Sequence, residues 1–168
     1  NDLHKQFGKN QVLKGVDLTI DQGQIYAVLG PNGSGKTTLI KSILGMVIPD
    51  KGNISVLDSP IKKNWKYRKK IDYLPQIANF PPNIKVKELI ILDEPTTGLD
   101  PKALIRLKGL IQNEKAKGKT ILVTSHIMQF VEEMADEILY LLEGEIYFKG
   151  SIKELLERTD QTDFEHAI

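Results

Sequence analysis

Residues 30–37 read Gly30-Pro31-Asn32-Gly33-Ser34-Gly35-Lys36-Thr37 and match the pattern G-x-x-x-x-G-K-[ST]. Each residue type has a task at a phosphate group. Gly33 and Gly35 let the backbone curl so that its N–H groups point inward at anionic oxygens. The helix that follows adds the positive end of its dipole. Lys36 reaches β- and γ-phosphates, and the Thr37 hydroxyl can ligate Mg²⁺. A second stretch, LIILDEP (89–95), is an apolar run ending in two acids. At the C-terminal edge of a parallel sheet these acids stand beside a phosphate loop. Asp93 would hold Mg²⁺ through water, and Glu94 would polarise an attacking water.

The elements that must position these residues follow from periodicity. VLKGVDLTI (12–20) alternates as a strand, and IYAVLG (25–30) is a short buried run ending in glycine, as a covered parallel strand does. Leu39, Ile40, Ile43 and Leu44 make one face of the helix after the loop. NISVLD (53–58) and KIDYLPQ (70–76) read as strands, and NIKVKEL (83–89) as the start of a helix. Asp100 caps a helix whose first position is Pro101 and whose buried stripe is Ala103, Leu104, Leu107, Leu110 and Ile111. Gly118 stops it. TILVTSH (120–126) is another buried strand. Ile127, Phe130, Val131 and Met134 mark a further helix. EILYLLEGEIYFKG (137–150) is a hairpin about Glu143-Gly144, and Ser151 with Glu154 forms a capping box for the last helix. Apolar strands alternating with amphipathic helices give an α/β fold with a largely parallel sheet.

The totals set bounds on function. The chain has 168 residues, enough for one domain and one core. With 23 basic and 22 acidic side chains there is no global field for nucleic acid. Six basic residues between Lys62 and Lys70 read as a solvated face. Cysteine is absent, so disulfides and thiolate metal sites are excluded, and a cytoplasmic location fits. No apolar run approaches the ~18 residues of a membrane span, and no signal-peptide pattern is present. The chain begins at Asn1 rather than methionine, so residues are expected to precede it.

Taken in order, these stretches resemble the nucleotide-binding domain of the ATP-binding cassette (ABC) ATPases. GPNGSGKTT, running to Thr38, is similar to the Walker A motif, and IILDEPTTGLDP (90–101) to Walker B, the catalytic glutamate and the D-loop. YLPQ (73–76) resembles the Q-loop entry and VTSH (123–126) the switch histidine. The resemblance implies a RecA-like phosphate-loop core with an antiparallel β N-terminal part, binding ATP with Mg²⁺. It further implies that Phe7 stacks on adenine and that Gln76 touches the metal and the attacking water while sensing a membrane partner. Asp100 would face the opposite subunit, and His126 would contact the γ-phosphate beside Lys36 and Glu94. His4 and His166 match nothing in the pattern and read as surface residues.

One part of the pattern is missing. The family places a helical subdomain with an LSGGQ signature between the Q-loop and Walker B. Only sixteen residues separate Gln76 from Asp93, and no LSGGQ-like string occurs. Sixteen residues make barely four helical turns, and Pro81-Pro82 spoils those. A segment left out near Leu89–Ile90 is the expected account; an engineered deletion and a natural degenerate form are the others.

The leading reading is the ATPase subunit of a bacterial ABC transporter, at the inner face of the cell membrane. It would dimerise head to tail on ATP, with itself or a paired subunit, and dock on integral membrane subunits. The segments HIMQFVEEMADEI and LLEGEIYFKG resemble those of ATPase subunits serving copper-site assembly of nitrous-oxide reductase. The alternatives are a non-transport ABC ATPase acting on ribosomes or DNA, or another phosphate-loop enzyme such as a small-molecule kinase. The usual paired cassettes or coiled coils of the former are not visible here, and Asp93-Glu94 followed by TTGLD counts against the latter.

Overall fold

A computed structural model describes residues 1–61, 66–75 and 87–168. Its centre is a six-stranded sheet. In chain order the strands are β3 (Ile25–Leu29), β6 (Ile71–Leu74), β7 (Leu89–Asp93), β8 (Thr120–Thr124), β9 (Glu137–Leu142) and β10 (Glu145–Gly150). Across the sheet they run β10-β9-β3-β8-β7-β6, all parallel except β10, which turns back on β9.

The central strands β3, β7 and β8 are largely apolar and almost wholly buried because both of their faces are covered. Tyr26, Val28, Ile91, Leu122, Leu139 and Leu141 point to one face, under α1 (Lys36–Ile43) and the hairpin β1 (Leu3–Phe7) and β2 (Asn10–Val16). Ile25, Ala27, Leu29, Ile90, Leu92, Ile121 and Val123 point to the other, where Leu107 and Ile111 of α2 (Pro101–Ala116) and Phe130, Val131 and Met134 of α3 (Met128–Met134) cover them. Leu155 of α4 (Ile152–Thr159) and Phe164 of the short α5 (Phe164–Ala167) complete that layer. The predicted caps are present. Asp100 Oδ1 accepts from the Ala103 N–H at 2.8 Å, and Ser151 and Glu154 form a reciprocal capping box. Among the described residues no helix is long and apolar enough to cross a membrane.

Several boundaries differ from the sequence reading. The strand predicted over 12–20 runs instead from Asn10 to Val16, paired with β1. Leu18 and Ile20 still pack on the core, but no described strand pairs with residues 17–20. The strand predicted over 53–58 is a two-residue hairpin, β4 (Ser55–Val56) and β5 (Ser59–Pro60), because Leu57 and Asp58 both take positive φ (51° and 58°) and reverse the chain. The helix expected to start in 83–89 is absent where it is described. Leu89 instead pairs with Ile71 and Thr120 as the first residue of β7, while residues 83–86 lie outside the described residues. Of the basic run, Lys66–Lys70 form a 3₁₀ turn with Tyr67 buried and Arg68 donating to the Gly45 carbonyl at 2.6 Å; residues 62–65 lie outside.

Candidate functional site

Strand order brings the chemistry to one edge. β3, β8, β7 and β6 lie side by side and parallel, so the residues following Leu29, Thr124, Asp93 and Leu74 leave the sheet at the same end. These are the phosphate loop, Ser125-His126, Glu94, and Pro75 leading to Gln76. Gln76 itself lies outside the described residues.

The loop is built on glycine geometry. Gly30, Gly33 and Gly35 have φ of 142°, 82° and 106°. A Cβ on Gly30 would sit 2.0 Å from the Leu141 carbonyl oxygen, and one on Gly35 2.9 Å from that of Val12. Pro31, Asn32, Gly33 and Thr37 are exposed, whereas Ser34 and Gly35 are buried. The Lys36 ammonium folds back on the loop, donating to the carbonyls of Gly30 (2.6 Å) and Pro31 (3.0 Å). Burial pulls Lys36 below its ordinary pKa, and the Glu94 and Asp93 carboxylates act in the opposite direction. This partly desolvated cation is suited to a phosphate. Thr37 and Thr38 follow it in the first turn of α1.

The turn at Glu143-Gly144, between β9 and β10, supports this loop from behind. The Gly144 N–H donates to the Ser34 carbonyl (3.1 Å), and the Lys14 N–H donates to the Gly144 carbonyl (2.9 Å). Gly144 has φ 87°, and a Cβ there would come within 2.5 Å of the Val12 carbonyl oxygen. Gly144→Ala is therefore expected to cost about 1–3 kcal/mol of stability from backbone strain and displaced contacts. Denaturant unfolding of the variant beside the parent measures it.

Asp93 closes β7, and its carboxylate is held on both sides. Thr124 Oγ1 donates to Oδ1 at 2.8 Å, and the Tyr73 hydroxyl donates to Oδ2 at 3.3 Å. Burial, followed by the nearby Asp93 charge, raises the Tyr73 phenol. Glu94 has φ 49°, a left-handed conformation that costs a non-glycine residue about 1–3 kcal/mol. Its N–H donates to Thr124 Oγ1 at 2.8 Å, and its carboxylate Oε2 lies 2.8 Å from His126 Nδ1. The His126 side chain is 69% exposed, while that of Glu94 is 24% exposed, so the pair sits at the mouth of the site.

Phe7 ends β1 and is 51% exposed, with the Lys5 ammonium 5.2 Å from its ring centroid. The hairpin that carries it reaches the loop through Val12. Asp100 is exposed and caps α2. His4 and His166 stay apart from the site, on Asp2 and Asp163.

Among the described residues no group of three or more His, Cys, Asp or Glu side chains could hold a metal unaided. The donors on offer are oxygens, from the Thr37 hydroxyl and the Asp93 carboxylate. Such a sparse, hard set suits Mg²⁺ completed by phosphate and water. Sequence reasoning did not find the contacts that Thr124, Tyr73 and Gly144 make at the site. Each lies inside a quoted motif or turn, but its contact partner is remote in the chain.

Comparison with known proteins gives the family and the fold. The family model for ABC transporter matches residues 13–167. The chain is 28% identical over 216 residues to Nod factor export ATP-binding protein I of Burkholderia lata, covering 93% of this chain and 71% of that protein. It is 31% identical to an uncharacterized ABC transporter ATP-binding protein of Nostoc sp., covering 86% and 61%. Its fold is similar to a solved ATP-binding subunit of an ABC transporter, with a TM-score of 0.88 at 22% identity over 99% of this chain and 95% of that one. A nucleotide-free ATP-binding cassette from an ABC transporter superposes with a TM-score of 0.82 at 19% identity, covering 98% and 96%. This chain therefore belongs to the ABC transporter family, as the ATP-binding ATPase subunit of a bacterial transporter.

Proposed function

We propose that ATP lies along the strand-end edge with its phosphates on residues 30–37. Lys36 would exchange its two loop carbonyls for β- and γ-phosphate oxygens. The backbone of Gly33 and Gly35 and the first turn of α1, with Thr37 and Thr38, complete the cradle. Phe7 stacks on the adenine. Thr37 and Asp93 hold Mg²⁺, with Gln76 as a further donor. When bound, that ion neutralises phosphate charge during transfer. Glu94 orients the attacking water and accepts its proton, while His126 holds the Glu94 carboxylate and faces the γ-phosphate. The observation that carries this reading is the Glu94–His126 pair at the end of the sheet that bears the phosphate loop.

The expected partners are a second ATPase subunit facing Asp100 across the nucleotide and integral membrane subunits that choose the cargo. A signature-bearing segment left out near Leu89–Ile90 would supply the γ-phosphate donors of the opposite site. The Burkholderia alignment supports this. Taking 93% of 168 residues leaves about 156 aligned here, against 216 positions in the alignment, so about 60 positions of the relative face no residue of this chain.

Mg²⁺-dependent ATP hydrolysis by the purified protein, alone and with its membrane subunits, tests the reading. Turnover that needs Mg²⁺ and rises on docking supports it; no nucleotide binding at all refutes it. Phe7→Ala is expected to weaken ATP and GTP alike by about tenfold, the loss of one base-stacking contact. A fluorescence titration with each nucleotide measures this, and an unchanged affinity removes Phe7 from the site.

A further inference from the structure

We infer that Thr124 and Tyr73 are positioning residues that lock the acid pair Asp93-Glu94 into one geometry. This rests on the reading of Asp93 and Glu94 given above. The Thr124 hydroxyl has one proton to donate and lone pairs to accept with, and it uses both on the acid pair. It donates to Asp93 Oδ1 and accepts from the Glu94 N–H, each at 2.8 Å. Thr124 is 1% exposed and stands directly opposite Asp93 in the β7–β8 register, so its hydroxyl is turned away from bulk solvent. One oxygen atom therefore ties the carboxylate of one acid to the backbone of the next.

The second contact is to a residue whose backbone has to be held. Glu94 has φ 49°, where a non-glycine residue persists only if its surroundings over-determine it. The Glu94 N–H bond to Thr124 is one such restraint at the strained residue. It sets the direction in which the Glu94 side chain leaves β7. From β6, on the other side of β7, the Tyr73 hydroxyl reaches Asp93 Oδ2 at 3.3 Å. The Asp93 carboxylate is thus gripped by a hydroxyl from each neighbouring strand, one per oxygen. An ionised carboxylate has about four lone-pair sites, so two remain to face a cation or its water shell. The protein's own hydroxyls hold the plane of those two, which is where preorganisation acts.

A purely structural role would give a different pattern. A buried threonine that only fills strand β8 can be replaced by valine of the same shape, with an effect on stability alone. The positioning role predicts a loss concentrated in the Mg²⁺-dependent steps. Thr124→Val, Thr124→Ser and Tyr73→Phe are compared with the parent in three measurements. The first is ATP affinity in excess chelator; the second is the Mg²⁺ concentration giving half the metal-dependent gain in affinity; the third is kcat at saturating Mg²⁺ and ATP.

Affinity without metal is expected to stay within about twofold for all three variants. Thr124→Val should raise the half-effective Mg²⁺ concentration and lower kcat, each by about tenfold to a hundredfold, the scale of a lost hydrogen bond to a charged group. Thr124→Ser should restore both. Tyr73→Phe should shift the Mg²⁺ dependence by several-fold and leave kcat within about threefold, since the longer bond reaches only Asp93. If Thr124→Val and Tyr73→Phe both match the parent in Mg²⁺ dependence and turnover, the inference is overturned. If Thr124→Val fails to fold, Tyr73→Phe decides alone, because it removes one part-buried hydroxyl and keeps the ring. If Glu94→Gln abolishes turnover while these variants change nothing, only the positioning role falls. If Glu94→Gln also has no effect, the functional reading falls with it.

Discussion

Replacing Glu94 by glutamine is expected to reduce ATP turnover by about 10²- to 10⁴-fold, the range supplied by one positioned general base. Binding should survive. Glutamine has the same length and shape, and its amide can still meet His126 Nδ1, now 2.8 Å from the Glu94 carboxylate. The Glu94 N–H bond to Thr124 belongs to the backbone and is untouched, so the strained φ at this residue keeps its restraint. Removing the charge also removes a carboxylate that acts on the Lys36 ammonium, which favours the approach of a polyanion. The variant is thus expected to hold ATP in a state the parent leaves by hydrolysis, and its dimer on ATP should be longer-lived. Phosphate release under single turnover, with nucleotide affinity and size-exclusion mass beside it, checks each part. Parent-like turnover would remove Glu94 from the chemistry. Lost binding would place it in the cradle instead.

The second large effect is expected at Lys36. Lys36→Ala should weaken ATP by about tenfold to a hundredfold, the value of charge-assisted hydrogen bonds to phosphate, and depress hydrolysis further because developing charge on the γ-phosphate loses a cation. The fold should tolerate the change. Among the described residues the ammonium donates to the carbonyls of Gly30 and Pro31, and the Pro31 side of the loop is exposed, so water can take its place. Burial disfavours the charged amine here, so its removal also relieves a desolvation cost. Unfolding should therefore occur at parent-like or slightly higher denaturant while the nucleotide titration flattens. A variant that unfolds but binds normally would reverse the assignment.

Much of this was legible from residue types and short-range order. The glycine positions of residues 30–37 require positive φ and close backbone approach, which few other residues allow, so the loop could be read directly. Asp100-Pro101 and Ser151 with Glu154 are local hydrogen-bonding patterns that complete themselves within four residues. The Glu143-Gly144 turn was equally local. Less legible were the strand over 53–58, which two positive-φ residues break, and the end of β2 at Val16, which depends on where β1 pairs. The helix expected from NIKVKEL gave way, at Leu89, to pairing with strands on both sides.

The sequence alone determined the family and the order of its motifs along the chain, because those rest on residue chemistry at fixed local spacing. The tertiary structure decided which groups meet. Thr124 reaches Asp93 across 31 residues of chain, Tyr73 reaches it across 20, and Glu94 meets His126 across 32. The Gly144 turn comes to rest beneath Ser34. Each contact depends on the strand order β9-β3-β8-β7-β6, which sets neighbours by backbone pairing and helix packing on two faces. Periodicity along one strand shows that it is buried, but not which strand lies beside it.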